Sequence, residues 1–188
     1  LTPERAMETV FSGNPWTTSF TEDSFGNIWI GTYRNGTFCF HKNQTPFQKS
    51  MSGKNIECMS TDHSGNYWIG SLNGEVCVLD STQKQIMGKT IFPNDMIHTI
   101  CGQESSNKVW VGTMYGLYEA WIESNKQIVY QKTSGINIPS IRSIVQDSCF
   151  LWIASYNNGV TLYNYSTQQS VVTYKTDSEV LTLASNTC

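Results

Sequence analysis

The chain has 188 residues, of which 39 % are hydrophobic and 12 % aromatic, so it can bury a sizeable core. Its formal net charge is −3, only 14 % of its residues are charged, and its lysines and arginines form no cluster. This composition argues against nucleic-acid binding. No apolar run approaches the roughly 18 residues that a membrane helix requires, so we expect no membrane insertion by this segment.

A tryptophan between two apolar residues, followed by a small residue, occurs four times along the chain. The segments are IWIGT at 28–32, YWIGS at 67–71, VWVGT at 109–113 and LWIAS at 151–155. Their tryptophans are 39, 42 and 42 residues apart. A period of this length is typical of arrays in which each repeat is one supersecondary unit. The sequence therefore predicts a repeat architecture.

Each repeat is predicted to contain four short strands. The fourth repeat shows them most clearly, as runs of β-branched and aromatic residues at 141–147, 150–155, 159–165 and 169–175. Apolar residues occupy both faces of the second strands, which is typical of sheets that are covered on both sides. We therefore predict an all-β fold, a partial β-propeller of four-stranded blades, in preference to a sandwich or a solenoid.

The repeat pattern predicts a single partial propeller domain over 1–188, in which the chain begins and ends within a blade. Open blades at both ends predict exposed apolar flanks, which favour a homodimer or contact with the remaining blades of a parent protein. In chain order we expect a strand of a preceding blade at 1–15, blades at about 16–50, 55–92, 96–133 and 140–176, and a strand of a following blade at 179–188.

Twelve residues are predicted to shape the repeats. In the first turns an Asp side chain bonds its own turn and a Gly takes a positive φ, while the tryptophans pack between sheets. The third and fourth repeats keep the tryptophan but change the turn. The predicted structural residues are Asp23, Gly26, Trp29, Gly31, Asp62, Gly65, Trp68, Gly70, Trp110, Gly112, Asp147 and Trp152.

The six cysteines include no close pair of the kind found in zinc or redox sites. We expect buried thiols that form no disulfide. Cys39 and Cys77 are each three residues after a turn glycine, and so are predicted to occupy equivalent positions in neighbouring repeats. Such positions lie about 10 Å apart, too far for a disulfide bond. Taken alone, this favours a reducing compartment.

The pattern Asp-x-x-Gly-Asn-x-Trp-Ile-Gly-Thr, then a glycine and an aromatic-rich strand, resembles the two-component regulator propeller repeat. Residues 23–32 and 62–71 match it nearly residue for residue, and 110–113 and 152–155 match it in part. The resemblance implies the periplasmic sensor region of a hybrid two-component histidine kinase of gut bacteria. It implies a response to saccharides, and together with the absence of catalytic motifs it leads us to expect a non-enzymatic scaffold, without a cofactor, that recognises a ligand or relays a signal. We rank the periplasmic location that it implies above the cysteine argument.

Two other classes of propeller stay open as alternatives. A sialidase-like enzyme acting on glycans has an Asp-box with one residue between Asp and Gly, whereas Asp23 and Gly26 here enclose two. Such an enzyme also needs clustered arginines, and this chain has only Arg5, Arg34 and Arg142. A cytosolic WD-type scaffold for protein partners would show Gly-His and Trp-Asp dipeptides, which the sequence lacks.

The loops between second and third strands are the candidate ligand site, because in a propeller they converge near the axis on one side of the disc. Their rings and amides suit an oligosaccharide, and an arginine there suits an acidic one. No catalytic motif or metal-ligand spacing is present, since His41, His63 and His98 are isolated. The candidate ligand-binding residues are Tyr33, Arg34, Asn35, Asn73, Tyr115, Tyr156 and Asn157.

Overall fold

A computed structural model describes residues 16–23, 25–40, 48–50, 54–80, 85–90, 92 and 94–175. The strands expected at 1–15 and 179–188 lie outside these residues. The described part folds entirely into strands and turns, and it contains no helix suited to crossing a bilayer.

Sixteen strands form four antiparallel sheets in this part of the chain, and within each sheet consecutive strands are neighbours. The first sheet contains β1 (Thr17–Glu22), β2 (Ile28–Thr32), β3 (Gly36–Phe40) and β4 (Gln48–Ser50). The second contains β5 (Ile56–Thr61), β6 (Tyr67–Ser71), β7 (Glu75–Leu79) and β8 (Gln85–Thr90). The third contains β9 (Ile97–Gly102), β10 (Lys108–Thr113), β11 (Gly116–Ile122) and β12 (Ile128–Lys132). The fourth contains β13 (Ile141–Asp147), β14 (Phe150–Ser155), β15 (Gly159–Asn164) and β16 (Gln169–Tyr174).

Neighbouring sheets contact each other chiefly through their first strands. β1 contacts β5, β5 contacts β9, and β9 contacts β13. The first strand of each sheet is therefore its inner edge, and the fourth strand is its outer edge. Four meander sheets arranged in this way are the blades of a partial propeller. The predicted all-β fold is confirmed.

Each of the first three motif tryptophans packs against the next blade. Trp29, Trp68 and Trp110 are 1 %, 0 % and 4 % exposed. The ring of Trp29 lies 4.2 Å from that of Tyr67 in the second blade. Trp68 and Trp110 join clusters that contain residues of the third and fourth blades, respectively. The indoles therefore form the centre of each interface between blades.

Trp152 departs from this arrangement. It pairs in register with Val145 and Leu162, on the face of the fourth blade that points away from the third. Because no further sheet follows among the described residues, Trp152 is 37 % exposed and Val145 is 57 % exposed. Within the described residues, the fourth indole is therefore packed on its own sheet only, and the strand expected to follow it lies outside them.

The glycine two residues after each of the first three motif tryptophans allows the next blade to approach closely. A Cβ atom on Gly112 would lie 2.5 Å from Cγ2 of Ile141, the first residue of β13. Real Cβ atoms do not come so close, so the interface requires a glycine there. The same approach occurs in the two preceding interfaces, between Gly31 and Ile56 and between Gly70 and Ile97.

The first and second blades each contain a turn in which a buried aspartate accepts several hydrogen bonds. Asp23 accepts from the backbone N–H groups of Phe25 and Asn27, at 2.8 and 2.9 Å, and from Nε1 of Trp29 at 3.1 Å. Asp62 repeats the arrangement and accepts from Nε1 of Trp68 at 2.9 Å. Each aspartate thus ties the turn to the indole of its own blade.

Asp147 has no such role in the fourth blade. It is exposed and forms the last pair of the β13–β14 ladder, opposite Phe150. The turn between them contains only two residues, of which Ser148 has a φ of 55°. It is shorter than the corresponding turns of the first two blades, in which five residues separate the last paired positions.

The predicted equivalence of Cys39 and Cys77 is wrong. Cys39 pairs with Trp29, whereas Cys77 pairs with Ile69, one position away from the indole. Cys39 therefore faces the second blade and Cys77 faces the first, and both thiols belong to one buried cluster between the two blades. Burial raises the pKa of Cys39 to about 12 and that of Cys77 to about 11. None of the five described cysteines forms a disulfide.

Candidate functional site

Each first strand shifts register near its start, skipping one residue. In β1 the pairing passes from Thr17 to Ser19, and the other three strands shift at the same place. A bulge of this kind leaves one residue outside the ladder and re-aims its side chain. The skipped residues are Thr18, Glu57, His98 and Arg142.

Three of these residues interact across blades, and we call Glu57, His98 and Arg142 the axial cluster. The Nη1 atom of Arg142 lies 3.0 Å from Nδ1 of His98, which belongs to the neighbouring blade. The charge of Arg142 also acts on Glu57, which lies two blades away in β5. Because the first strands form the inner edges of the blades, the cluster lies near the propeller axis.

Burial and charge set the protonation of the axial cluster. Burial lowers the pKa of His98, the guanidinium of Arg142 lowers it further, and Asp95 acts in the opposite direction. His98 is therefore neutral at pH 7, and one of its ring nitrogens accepts a hydrogen bond from Arg142. Burial raises the pKa of Glu57, although Arg142 opposes this shift.

The turns between second and third strands lie at the same end of the blades as the axial cluster. In the fourth blade the N–H of Tyr156 donates to the carbonyl of Ser140, one residue before β13, at 2.9 Å. Each of these turns is closed by a buried hydroxyl that donates to a carbonyl across the turn. The donor and acceptor residues are Thr32 and Gly36, Ser71 and Glu75, Thr113 and Gly116, and Ser155 and Gly159.

The structure places the predicted tyrosines in three settings on this face. Tyr156 is 46 % exposed, and the guanidinium carbon of Arg142 lies 5.6 Å from its ring centroid. Tyr115 is 62 % exposed on the β10–β11 turn. Tyr33 is half-buried, between the Arg34 guanidinium at 5.0 Å and the ring of Trp16 at 6.2 Å. Only Tyr156 is joined to the axial cluster by a contact in the described part.

The predicted asparagines have turn roles. The side-chain amide of Asn73 lies within hydrogen-bonding distance of the Ser71 hydroxyl, which closes the same turn. Asn157 has a φ of 65°, a left-handed conformation that asparagine tolerates better than most residues. Asn35 is half-buried in the β2–β3 turn. Turn formation is thus enough to explain Asn73 and Asn157.

The sequence interpretation missed the axial cluster as a group. It treated His98 as isolated and Arg142 as one of three unrelated arginines. The available signal was positional, because a polar residue follows the first apolar residue of three successive inner strands, in Ile-Glu-Cys, Ile-His-Thr and Ile-Arg-Ser. Regular alternation would put such a residue on one sheet face, and only the bulge re-aims it.

This face presents hydrogen-bond donors and exposed aromatic rings. Arg142 presents a planar set of N–H donors, and Tyr115 and Tyr156 present exposed rings. Within the described residues, no group of three or more His, Cys, Asp or Glu side chains is placed to hold a metal ion.

Residues 11–34 match the family model described as "Two component regulator propeller". The matched segment contains the turn of Asp23 and the first motif tryptophan, so the resemblance predicted from the sequence is confirmed. No curated protein matches the chain.

Solved structures with a similar fold include two from B. thetaiotaomicron. One is described as the extracellular domain of a hybrid two component system, with 24 % identity and a TM-score of 0.67, and the match covers 87 % of this chain and 23 % of that one. The other is described as the extracellular domain of a one component system, with 23 % identity and a TM-score of 0.63, covering 84 % and 22 %. The chain thus spans less than a quarter of each.

A eukaryotic propeller has a similar fold as well. The β-propeller domain of Myceliophteria thermophila Cps50 (Swd1) is 11 % identical, with a TM-score of 0.62, and the match covers 78 % of this chain and 55 % of that one. At these identities the similarities establish the propeller fold.

Proposed function

We propose that this chain is part of the extracytoplasmic, periplasmic sensor region of a hybrid two-component histidine kinase. We further propose that its axial face, the side that carries the axial cluster and the turns between second and third strands, recognises an oligosaccharide. The observation that carries the proposal is the convergence of Glu57, His98 and Arg142 beside the exposed ring of Tyr156. The family match and the extracellular domains with a similar fold support the sensor assignment.

The chemistry of the axial face favours an acidic sugar chain. A guanidinium pairs with a carboxylate through two parallel hydrogen bonds, and the residue that Arg142 contacts is a neutral histidine, while Glu57 acts on its charge without forming an ion pair in the described part of the chain. The rings of Tyr115 and Tyr156 offer apolar faces on which a pyranose can stack. A ligand with both features would bridge the third and fourth blades.

The same residues favour binding over catalysis. Most glycoside hydrolases place two carboxylic side chains on opposite sides of the bond that breaks, whereas sialidases use a tyrosine nucleophile and need clustered arginines, of which the axial cluster contains only one. The axial cluster contains a single carboxyl group, that of Glu57. We therefore assign this segment to recognition or signal relay and not to glycan cleavage.

Arg142 provides the direct test. Isothermal titration calorimetry with oligogalacturonides as acidic probes and cello-oligosaccharides as neutral ones would compare the native protein with R142Q. Losing a charge-assisted hydrogen bond is worth about 1.5–3 kcal/mol, so we expect R142Q to weaken acidic-probe binding by tenfold or more. Tyr156→Ala and Tyr115→Ala should weaken binding of both probe types, because stacking does not depend on charge.

Two control variants make the result specific. Asn73→Ala removes a side chain that serves its own turn, and Lys126→Ala removes a charge from the β11–β12 turn at the opposite end of the blade. Both should bind the probes like the native protein. If R142Q binds the acidic probes as well as the native protein does, the axial cluster is not the site. If the protein releases sugars from either probe, the scaffold assignment is wrong.

A further inference from the structure

A cavity of about 160 Å³ lies between the third and fourth blades, away from the axial cluster. It is bounded by residues that follow β12 in the third blade and by β15 and the turn after it in the fourth, with Thr133, Tyr163, Tyr165 and Gln168 among its lining residues. A single water needs on the order of 10–15 Å³ by the same measure, so the cavity has room for a small molecule.

One wall of the cavity is an indole with an unsatisfied donor. Trp110 lines the cavity and is 4 % exposed, and its Nε1–H has no hydrogen-bond acceptor. The corresponding indoles of Trp29 and Trp68 both donate to an aspartate of their own blade. A buried donor left without an acceptor costs free energy, so an acceptor atom that enters the cavity beside it gains a hydrogen bond that the protein does not supply.

The missing acceptor has a cause in the sequence. Asp23 and Asp62 each begin a turn by donating their N–H to the residue that precedes the second strand. In the third blade Gln103 holds this place, with its N–H donating to the carbonyl of Lys108. Its amide contacts Glu119 and Ser106 and leaves the indole without a partner.

A second unsatisfied group lines the same cavity. The hydroxyl oxygen of Thr133 is buried and has no hydrogen-bond partner. It can both donate and accept, whereas the indole can only donate. Two such groups in one cavity are the pattern expected of a polar binding site.

The charges around the cavity favour a neutral ligand. The carboxylate of Glu119 is held by Nζ of Lys108 and by Nε2 of Gln103, both at 2.8 Å. Lys132 is exposed at the rim, where water solvates its charge. The rings of Trp110 and Tyr165 lie 5.4 Å apart and add apolar surface.

We propose that this cavity binds a small neutral ligand with several hydroxyl groups, such as a single pyranose or a cyclitol. One ligand oxygen accepts from Nε1 of Trp110, and a second exchanges a hydrogen bond with the hydroxyl of Thr133. The proposal does not depend on the axial cluster, which lies at the inner edges of the blades.

The indole N–H signals of the ¹⁵N-labelled protein provide the test. Titration with D-glucose and with myo-inositol should shift the Trp110 signal, assigned by Trp110→Phe, in a saturable manner. The signal of Trp68, whose donor is already paired with Asp62, should stay in place. Titration with methyl α-D-glucopyranoside and with maltotriose shows whether the cavity binds a free monosaccharide or the end of a longer sugar chain.

Two variants test whether the shift of the Trp110 signal reports binding in the cavity. Thr133→Val removes the hydroxyl at nearly constant volume and should weaken binding about fivefold, the worth of one neutral hydrogen bond. Gln103→Asp should give the indole the internal acceptor found in the first two blades and thereby abolish the response. R142Q should leave the shift of the Trp110 signal unchanged. The test of the cavity is then independent of the test of the axial cluster.

Two outcomes would overturn the proposal. In the first, none of the probes moves the Trp110 signal, and its N–H shows contact only with water, which would make the cavity a hydration site. In the second, the Trp68 signal moves in parallel with that of Trp110, which would mean that the probes act on the whole protein.

Discussion

At the scale of single residues, the first-turn aspartates connect three parts of the fold. Asp23 bonds its own turn and its own indole, and it also accepts from the hydroxyl of Tyr67 in the next blade at 2.6 Å. Burial opposes the ionisation of Asp23, but the hydrogen bonds from Tyr67, Asn27 and Trp29 outweigh it and lower its pKa to about 2. The carboxylate form is therefore part of the folded structure.

Asp23 should make stability depend on pH in the acid range. Its pKa is about 2 when folded and about 3.9 when unfolded, so its contribution is complete above pH 4 and is lost as the pH falls through 2. We expect Asp23→Asn to lower the free energy of unfolding by on the order of 1–2 kcal/mol at pH 7, and by less at pH 2. Urea denaturation at both pH values measures this.

The exposed Asp147 provides the matched control for that experiment. Asp147→Asn should leave the unfolding free energy nearly unchanged at both pH values. An equal loss in the two variants would show that the turn contacts of Asp23 do not stabilise the fold.

The motif tryptophans should differ in their contribution to stability. Trp110→Ala should cost about 3–5 kcal/mol of unfolding free energy, because it leaves a hole between two blades. Trp152→Ala should cost less than half as much, because the side chain is 37 % exposed at the open end. Chemical denaturation followed by circular dichroism compares the two. Equal costs would mean that Trp152 is covered in solution.

The glycine after the tryptophan is open to a similar comparison. Gly112→Ala places a methyl group against Ile141, so we expect a loss of about 1–3 kcal/mol. The fourth repeat carries Ala154 at this position, where no described blade follows. Ala154→Gly should therefore change stability by less than about 1 kcal/mol. A stable Gly112→Ala protein in thermal denaturation would contradict the close packing of the blades.

At the scale of strands, the sequence predicted the fold well and the site only in part. Tryptophan spacing and strand composition indicate sheets because burial on both faces selects consecutive apolar residues. The inner-strand bulges leave no such signal, since one skipped residue changes which way Glu57, His98 and Arg142 point without changing the strand's composition. The pairing of Cys39 with Trp29 was missed because the turn glycines of the first two repeats are not equivalent: Gly36 is the first residue of β3, whereas Gly74 is the last turn residue before β7.

The contact between the bulge residues of β9 and β13 should be measurable in the pKa of His98. Arg142 lowers the pKa of His98, so R142Q should raise it, and Arg34→Gln on another blade should not. Titration of the His98 ring signals by NMR measures both. Since the folded pKa lies below the unfolded value, His98 also reduces stability as the pH falls below about 6.5. An unchanged His98 pKa in R142Q would contradict the axial contact.

At the scale of the whole molecule, the two end blades present apolar side chains to solvent. Phe20 of the first blade is 81 % exposed, and Val145 and Trp152 of the fourth are 57 % and 37 % exposed. Exposed apolar surface favours association. These flanks therefore suit the remaining blades of a longer propeller or a second copy of the chain.

Self-association through these flanks is measurable. We expect light scattering to show a dimer at high protein concentration, and Trp152→Glu to shift it toward monomer by putting a charge into the apolar flank. Tyr115→Glu, on the axial face, should not affect the equilibrium. A native protein that stays monomeric at high concentration would contradict association through the flanks.

The bulges also separate the evolution of specificity from that of stability. Thr18, Glu57, His98 and Arg142 occupy the same register in four blades, yet they are four chemically different side chains. Because a skipped residue takes no part in the ladder, exchanging its type leaves the strand pairing within its own blade intact. Each blade thus contributes one position beside the axis whose chemistry can change while the strand pairing is kept, and Arg142 and His98 show that neighbouring positions of this kind also act on each other.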